Sequence, residues 1–145
     1  MLTQRSTEAQ TGFTLVELLI ALAIMGVLAS VAYPSYLSQV RKGRRADAIQ
    51  GLAQILQTQE RWRANNPTYA SDSLLTTPWP DGLGLSSTSA GAHYTLVISD
   101  DPSGAAYTVS AVARGRQTGD TACTTLTVTI DKGTVTNTPA TCWAQ

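Results

Sequence analysis

The 145 residues carry 10 basic and 10 acidic side chains, no net charge, and a 43% hydrophobic share. That length suits one domain and excludes a multidomain enzyme, and neutrality argues against holding nucleic acid by bulk electrostatics. Two cysteines and one histidine are too few ligands for a structural zinc site, and no metal or cofactor is expected.

No Lys, Arg, Asp, Glu or His occurs from Leu18 to Val40, and the apolar part, Leu18 to Leu37, is long enough for a membrane span. Counted from Phe13 to Tyr36, 24 residues make a helix of about 36 Å, against a hydrocarbon core of about 30 Å. One ionisable side chain, Glu17, lies inside that stretch, and a charge there needs a reason. An ordinary secretory signal cut after Ser30-Val31-Ala32 fits Glu17 and the residues before the apolar core poorly. A plain membrane anchor, with Glu17 at the interface, explains the apolar length but not the residues preceding it.

A third reading rests on Thr11-Gly12-Phe13-Thr14-Leu15-Val16-Glu17. This run resembles the prepilin-type leader shared by type IV pilins and the pseudopilins of type II secretion. The resemblance implies that a prepilin peptidase removes residues 1–12, cutting between Gly12 and Phe13, and that Phe13 is N-methylated. The apolar helix 13–36 is then retained. Glycine at the cut lets the chain run extended without Cβ clashes. The family role of Glu17 is to neutralise the free amine of Phe13 in a neighbouring subunit, since a buried charge is tolerable when paired. Gly26 and Pro34 match the family's two helix-weakening positions, a glycine costing about 1 kcal/mol in a helix interior and a proline removing a backbone bond. A kinked membrane helix is the plainer account of both. The leader holds Arg5 and Glu8, so it lacks the net positive charge usual in the family.

Helical spacing continues beyond the apolar segment. Ala48, Ile49, Leu52, Ile55, Leu56 and Trp62 fall on one stripe, and Asn65-Asn66-Pro67 ends it, so a helix is predicted from Phe13 to Ala64. Its segment 37–64 is amphipathic and expected to pack on a small domain. Residues 65–92 are rich in Ser, Thr, Gly and Pro and form a long helix-to-sheet loop, with Tyr69, Leu74, Leu75 and Trp79 available to pin it. From 93 the period becomes two: Tyr94, Leu96 and Ile98; then Tyr107, Val109, Ala111 and Ala113; then Leu126, Val128 and Ile130; then a short strand around Val135. The turns are Asp100-Asp101-Pro102-Ser103-Gly104 and Asp131-Lys132-Gly133. The expected fold is α+β, one long helix packed on an antiparallel meander of about four strands in residues 93–145.

Cys123 and Cys142 are the only cysteines, and a pair in an exported chain reads as a disulfide; a redox pair would stand closer. A C-terminal disulfide loop is also a type IV pilin feature that major pseudopilins generally lack. Arg45-Ala46-Asp47-Ala48, Glu60-Arg61 with Asn65-Asn66 and Tyr69, and Asp120 to Cys123 with Cys142-Trp143 look like the small minor pilins. The cluster Arg41, Lys42, Arg44, Arg45 would hold the following domain inside by the positive-inside rule, whereas the cysteines place it outside, and the cysteines decide.

No nucleophile motif, phosphate-binding loop or metal-ligand spacing occurs, so an enzyme is not expected; His93 is taken as a surface or edge residue. After Ala64 three basic residues, Arg114, Arg116 and Lys132, face six aspartates, so any DNA contact must be a local stripe of those three. Such a stripe requires the turn of Lys132 to sit near the arginines, and solvated loop charges are the plainer account of all three. The resemblance implies a minor pilin that assembles with other pilin subunits, held first in the inner membrane with its C-terminal domain in the periplasm, then in a surface pilus. A DNA-receptor minor pilin for natural transformation and a secretion pseudopilin are the alternatives.

Overall fold

The computed structural model describes residues 12–99 and 101–143. The leader residues Arg5, Glu8 and Thr11, and Asp100 of the expected turn, lie outside them. The chain divides between Leu37 and Ser38 into two compact units.

Helix α1 runs from Leu15 to Arg63, within two residues of the predicted Phe13–Ala64. Its part within the first unit is apolar all round. Its most apolar window has a mean hydropathy of 2.5, and none of that window is buried. Among its exposed side chains are Leu18, Ile20, Leu22, Ile24, Val27, Leu28 and Val31. A helix apolar on every side is stable only where lipid or protein surrounds it. Gly26 and Pro34 both lie inside the continuous helix and neither interrupts it.

In the second unit the sheet has strand order β1-β2-β3-β4, all antiparallel: β1 Tyr94–Ile98, β2 Ala106–Ala113, β3 Thr125–Asp131 and β4 Thr134–Thr138. All four predicted strands are present. The register aligns Leu96 with Ala111 and Leu126, and Ile98 with Val109 and Val128, so period two puts these side chains on one face. That face joins Ala48, Leu52, Ile55 and Trp62 of the helical stripe in a single core, with Ile49 and Leu56 partly buried at its border. Gly51 is what allows close approach: a Cβ there would come within 2.9 Å of Leu96 Cδ1. Lys132 (φ 49°) and Gly133 (φ 80°) form the left-handed two-residue turn that matches the twist of a hairpin.

The 65–92 connection is more ordered than its composition suggests. A short 3-10 turn, Asp72–Leu74, interrupts it, and Ala70, Leu75 and Leu83 reach the core. Buried Gln59 donates to the Ala70 carbonyl at 2.7 Å and accepts from the Ala70 N–H at 2.8 Å. Asp47 accepts from the Ser89 hydroxyl and the Gly91 N–H, and Asp72 accepts from the Ile98 N–H. Residues 87–89 also bond to the free edge of β1, through Ser89 N–H to Tyr94 O and Leu96 N–H to Ser87 O. Trp79 stays 43% exposed, edge-on to Trp62 at 6.5 Å with the Arg61 guanidinium 4.3 Å from its ring centre.

Candidate functional site

At the N-terminal end, Gly12, Phe13 and Thr14 precede the helix in non-helical backbone, and Phe13 is 91% exposed. Among the described residues, nothing lies within 4 Å of where a Gly12 side chain would start. Immediately after it comes a feature that the motif reading missed. The Thr14 N–H and the Thr14 hydroxyl both donate to Glu17 Oε2 at 2.9 Å, and the Glu17 N–H donates to the Thr14 hydroxyl at 3.2 Å. This reciprocal pattern is a capping box, which satisfies donors that the first helical turn leaves orphaned. The signal was readable as Thr-x-x-Glu ahead of an apolar run.

In the second unit the scattered minor-pilin-like matches prove to be contacts with one another. Arg45 Nε and Nη2 donate to the two Asp120 oxygens at 2.7 and 2.8 Å, with only 13% and 8% of those side chains exposed. The Asp120 hydrogen bond holds the Arg45 guanidinium above its ordinary pKa, against the opposing effect of burial. Gln117 Nε2 stands 2.9 Å from the Tyr94 hydroxyl, 3.2 Å from Asp120 Oδ2 and 3.3 Å from the Arg41 carbonyl, donating to this group of acceptors. Burial raises the Tyr94 phenol above its usual range, more than the Gln117 bond lowers it. The Tyr69 hydroxyl donates to Glu60 at 3.1 Å, and the Tyr69 ring lies 4.3 Å from that of Tyr107. The expected disulfide is present: Cys123 and Cys142 are joined, and both are buried. The Cys123 N–H bonds to the Asp120 carbonyl, so the ion pair and the crosslink brace the same turn.

The three residues suggested for DNA contact are not brought together. Arg114 and Arg116 are exposed at the end of β2, around the 3-10 turn Gly115–Gly119. Lys132 follows β3 and donates its N–H to Ala105, at the opposite end of the sheet. The eight residues of β2 separate them by roughly 25 Å at 3.3 Å per residue. The stripe of three is therefore not formed and that candidate is corrected, because β3 runs antiparallel and carries the Lys132 turn away. Arg41 is the basic residue found beside them: a Cβ on Gly119 would lie 2.7 Å from Arg41 Nη2. His93 is half-buried at the start of β1, its carbonyl taken by the Arg114 N–H.

Comparison with known proteins brings these regions under one heading. Residues 9–33 match the prokaryotic N-terminal methylation motif, and residues 34–127 match the family "Type IV minor pilin ComP, DNA uptake sequence receptor". A type IV major alpha-pilin of Moraxella bovis is 31% identical over 126 residues, covering 83% of this chain and 79% of the relative. The type IV wide pilus major component PilA4 of Thermus thermophilus is 33% identical over 86 residues, 59% of this chain and 63% of the relative. Type II secretion system core protein G of Escherichia coli is 29% identical over 65 residues, 45% of each. The chain thus spans less than two thirds of the length of these last two. A Gly-Phe junction ahead of the helix, an apolar segment with a single glutamate, and a disulfide-braced meander on the amphipathic half coincide with both family matches, and the chain belongs to the type IV pilins, in the family of the minor pilin ComP.

Proposed function

We propose that this chain is a structural subunit of a type IV pilus, a minor pilin, and not an enzyme. Before assembly it resides in the inner membrane, with the β-domain in the periplasm; afterwards it is part of a surface filament. The observation that carries this reading is a helix whose first half exposes apolar side chains on every side and holds one carboxylate, Glu17, a turn from the Gly12–Phe13 junction. Lipid satisfies that surface in the membrane, and neighbouring helices satisfy it in a filament. Prepilin peptidase and other pilin subunits are the partners this reading requires. Mass spectrometry of the membrane-associated protein tests it: Phe13 should be the N-terminus and carry one methyl group. An N-terminus at Tyr33 would mean an ordinary signal peptide and end the filament reading.

A second reading, a DNA receptor, is supported by the description of the matching family and by Arg114 and Arg116 standing exposed beside Arg41. The remoteness of Lys132 and the excess of aspartates after Ala64 weigh against it. A pseudopilin role rests on the likeness to core protein G alone.

A further inference from the structure

We propose that the basic end of the second unit is a docking surface for anionic phospholipid headgroups. Arg41, Lys42 and Arg44 lie on α1, and Arg114 and Arg116 lie around the turn Gly115–Gly119. The two segments abut: Gln117 Nε2 bonds to the Arg41 carbonyl, and the Arg41 guanidinium lies against Gly119. Five cationic side chains therefore share one end of the domain. The single ion pair among the described residues, Arg45–Asp120, uses the carboxylate of this turn without neutralising any of the five. Asp47, the next acidic residue along the helix, is taken by Ser89 and Gly91.

The opposite end is of mixed charge, with three aspartates set among Lys132 and Arg63, which bond to Ala105 and Gly104 of the turn before β2. Asp131 closes β3 opposite Ala106, Asp101 lies in the turn before β2, and Asp72 bonds to the last residue of β1. A planar anionic surface meets only the basic end, whereas a polyanion lying along the domain would also meet the aspartates. Covalent reach favours lipid as the occupant. Arg41 is four residues beyond Leu37, so it stays within about 14 Å of the end of the apolar segment whatever path the chain takes. Within a Debye length of an anionic membrane, about 10 Å, a basic side chain contributes about a fivefold preference, and 14 Å is the outer limit of that reach, since any path short of full extension brings Arg41 closer. The proposal rests on the membrane reading of residues 18–37.

The test reconstitutes the full chain in nanodiscs of phosphatidylcholine alone, or of phosphatidylcholine with phosphatidylglycerol, and follows amide hydrogen exchange. Exchange at residues 114–119 should slow about fivefold or more in the anionic discs. The difference should vanish in high salt and in the Arg114→Gln/Arg116→Gln variant, while the exposed strand Thr134–Thr138 is unchanged between lipids. Equal exchange at 114–119 in both lipids overturns the proposal, including a result in which added duplex DNA protects that turn and anionic lipid does not. Failure of the chain to co-purify with either disc is a separate outcome: it overturns the membrane reading, and the proposal with it.

Discussion

Thr14 and Glu17 cap the start of α1 reciprocally, each side chain accepting from the other residue's backbone N–H. This gives Glu17 a local duty beside the pairing with a neighbour's Phe13 amine that pilin assembly would demand. Charge separates the two. Glutamine can accept the same bond in a capping box but cannot neutralise an ammonium. Glu17→Gln should therefore be cleaved after Gly12 and accumulate in the membrane, yet be depleted from sheared filaments relative to an unchanged major pilin. Thr14→Ala, which loses the hydroxyl half of the cap and keeps the charge, should still enter filaments. The reverse pattern, with glutamine recovered normally and Thr14→Ala lost, would assign Glu17 to capping alone.

The ion pair between Arg45 and Asp120 predicts an asymmetric response to mutation. Both groups are largely buried, so removing one strands the other, at a cost of about 3–5 kcal/mol. Asp120→Ala should lower the thermal midpoint sharply. Arg45→Met combined with Asp120→Ala should recover much of the loss, because no buried charge remains. A double variant as unstable as Asp120→Ala would show that the pair's contribution lies in the hydrogen bonds around Gln117 rather than in charge.

Periodicity made most of this fold legible. Leu52 and Ile55 recur with helical spacing, and Tyr94, Leu96 and Ile98 with period two, so each face was set by local geometry before any contact was known. The long-range polar contacts were not legible in that way. Nothing in the spacing of Arg45 and Asp120, or of Asp47 and Ser89, says that they meet, because each pairing depends on how helix, loop and sheet dock. Lys132 failed for the same reason. Its turn was predicted correctly, but which end of the sheet it occupies follows from strand direction, not from composition. At the N-terminus the motif singled out Gly12, Phe13 and Glu17 at once, and the strength of that resemblance concealed the simpler capping pattern in the same residues.

The disulfide closes a loop over a separation of 19 residues, and in the chain-entropy model a loop of that size is worth about 3 kcal/mol. Replacing Cys123 and Cys142 together by serine should cost about 2–5 kcal/mol in denaturant unfolding and lower pilin levels in cells. Loosening should extend to Asp120 through the Cys123 N–H bond, so exchange at residues 120–123 should rise before that of β2. Two free thiols in protein isolated from cells would remove the main support for export of this domain.

DNA binding, if the chain has it, should depend on the basic end alone. Arg114 and Arg116 are exposed beside Arg41, while Lys132 stands roughly 25 Å away among Asp101, Asp131 and the β3–β4 turn. Each phosphate neutralised on duplex DNA contributes about 0.9 to the salt slope of the binding constant. For the full chain in a neutral detergent, Arg114→Gln/Arg116→Gln should flatten that slope by about two and weaken binding across all sequences alike. Lys132→Gln should leave it unchanged. A base-specific site would behave differently, losing discrimination between sequences while keeping most of its salt dependence. If the unmutated chain shows no binding at low salt, the DNA-receptor reading falls and the structural subunit stands alone. If Lys132→Gln flattens the slope as much as the arginine pair does, a duplex must lie along the sheet past the aspartates, and the basic end is not the whole of the DNA contact.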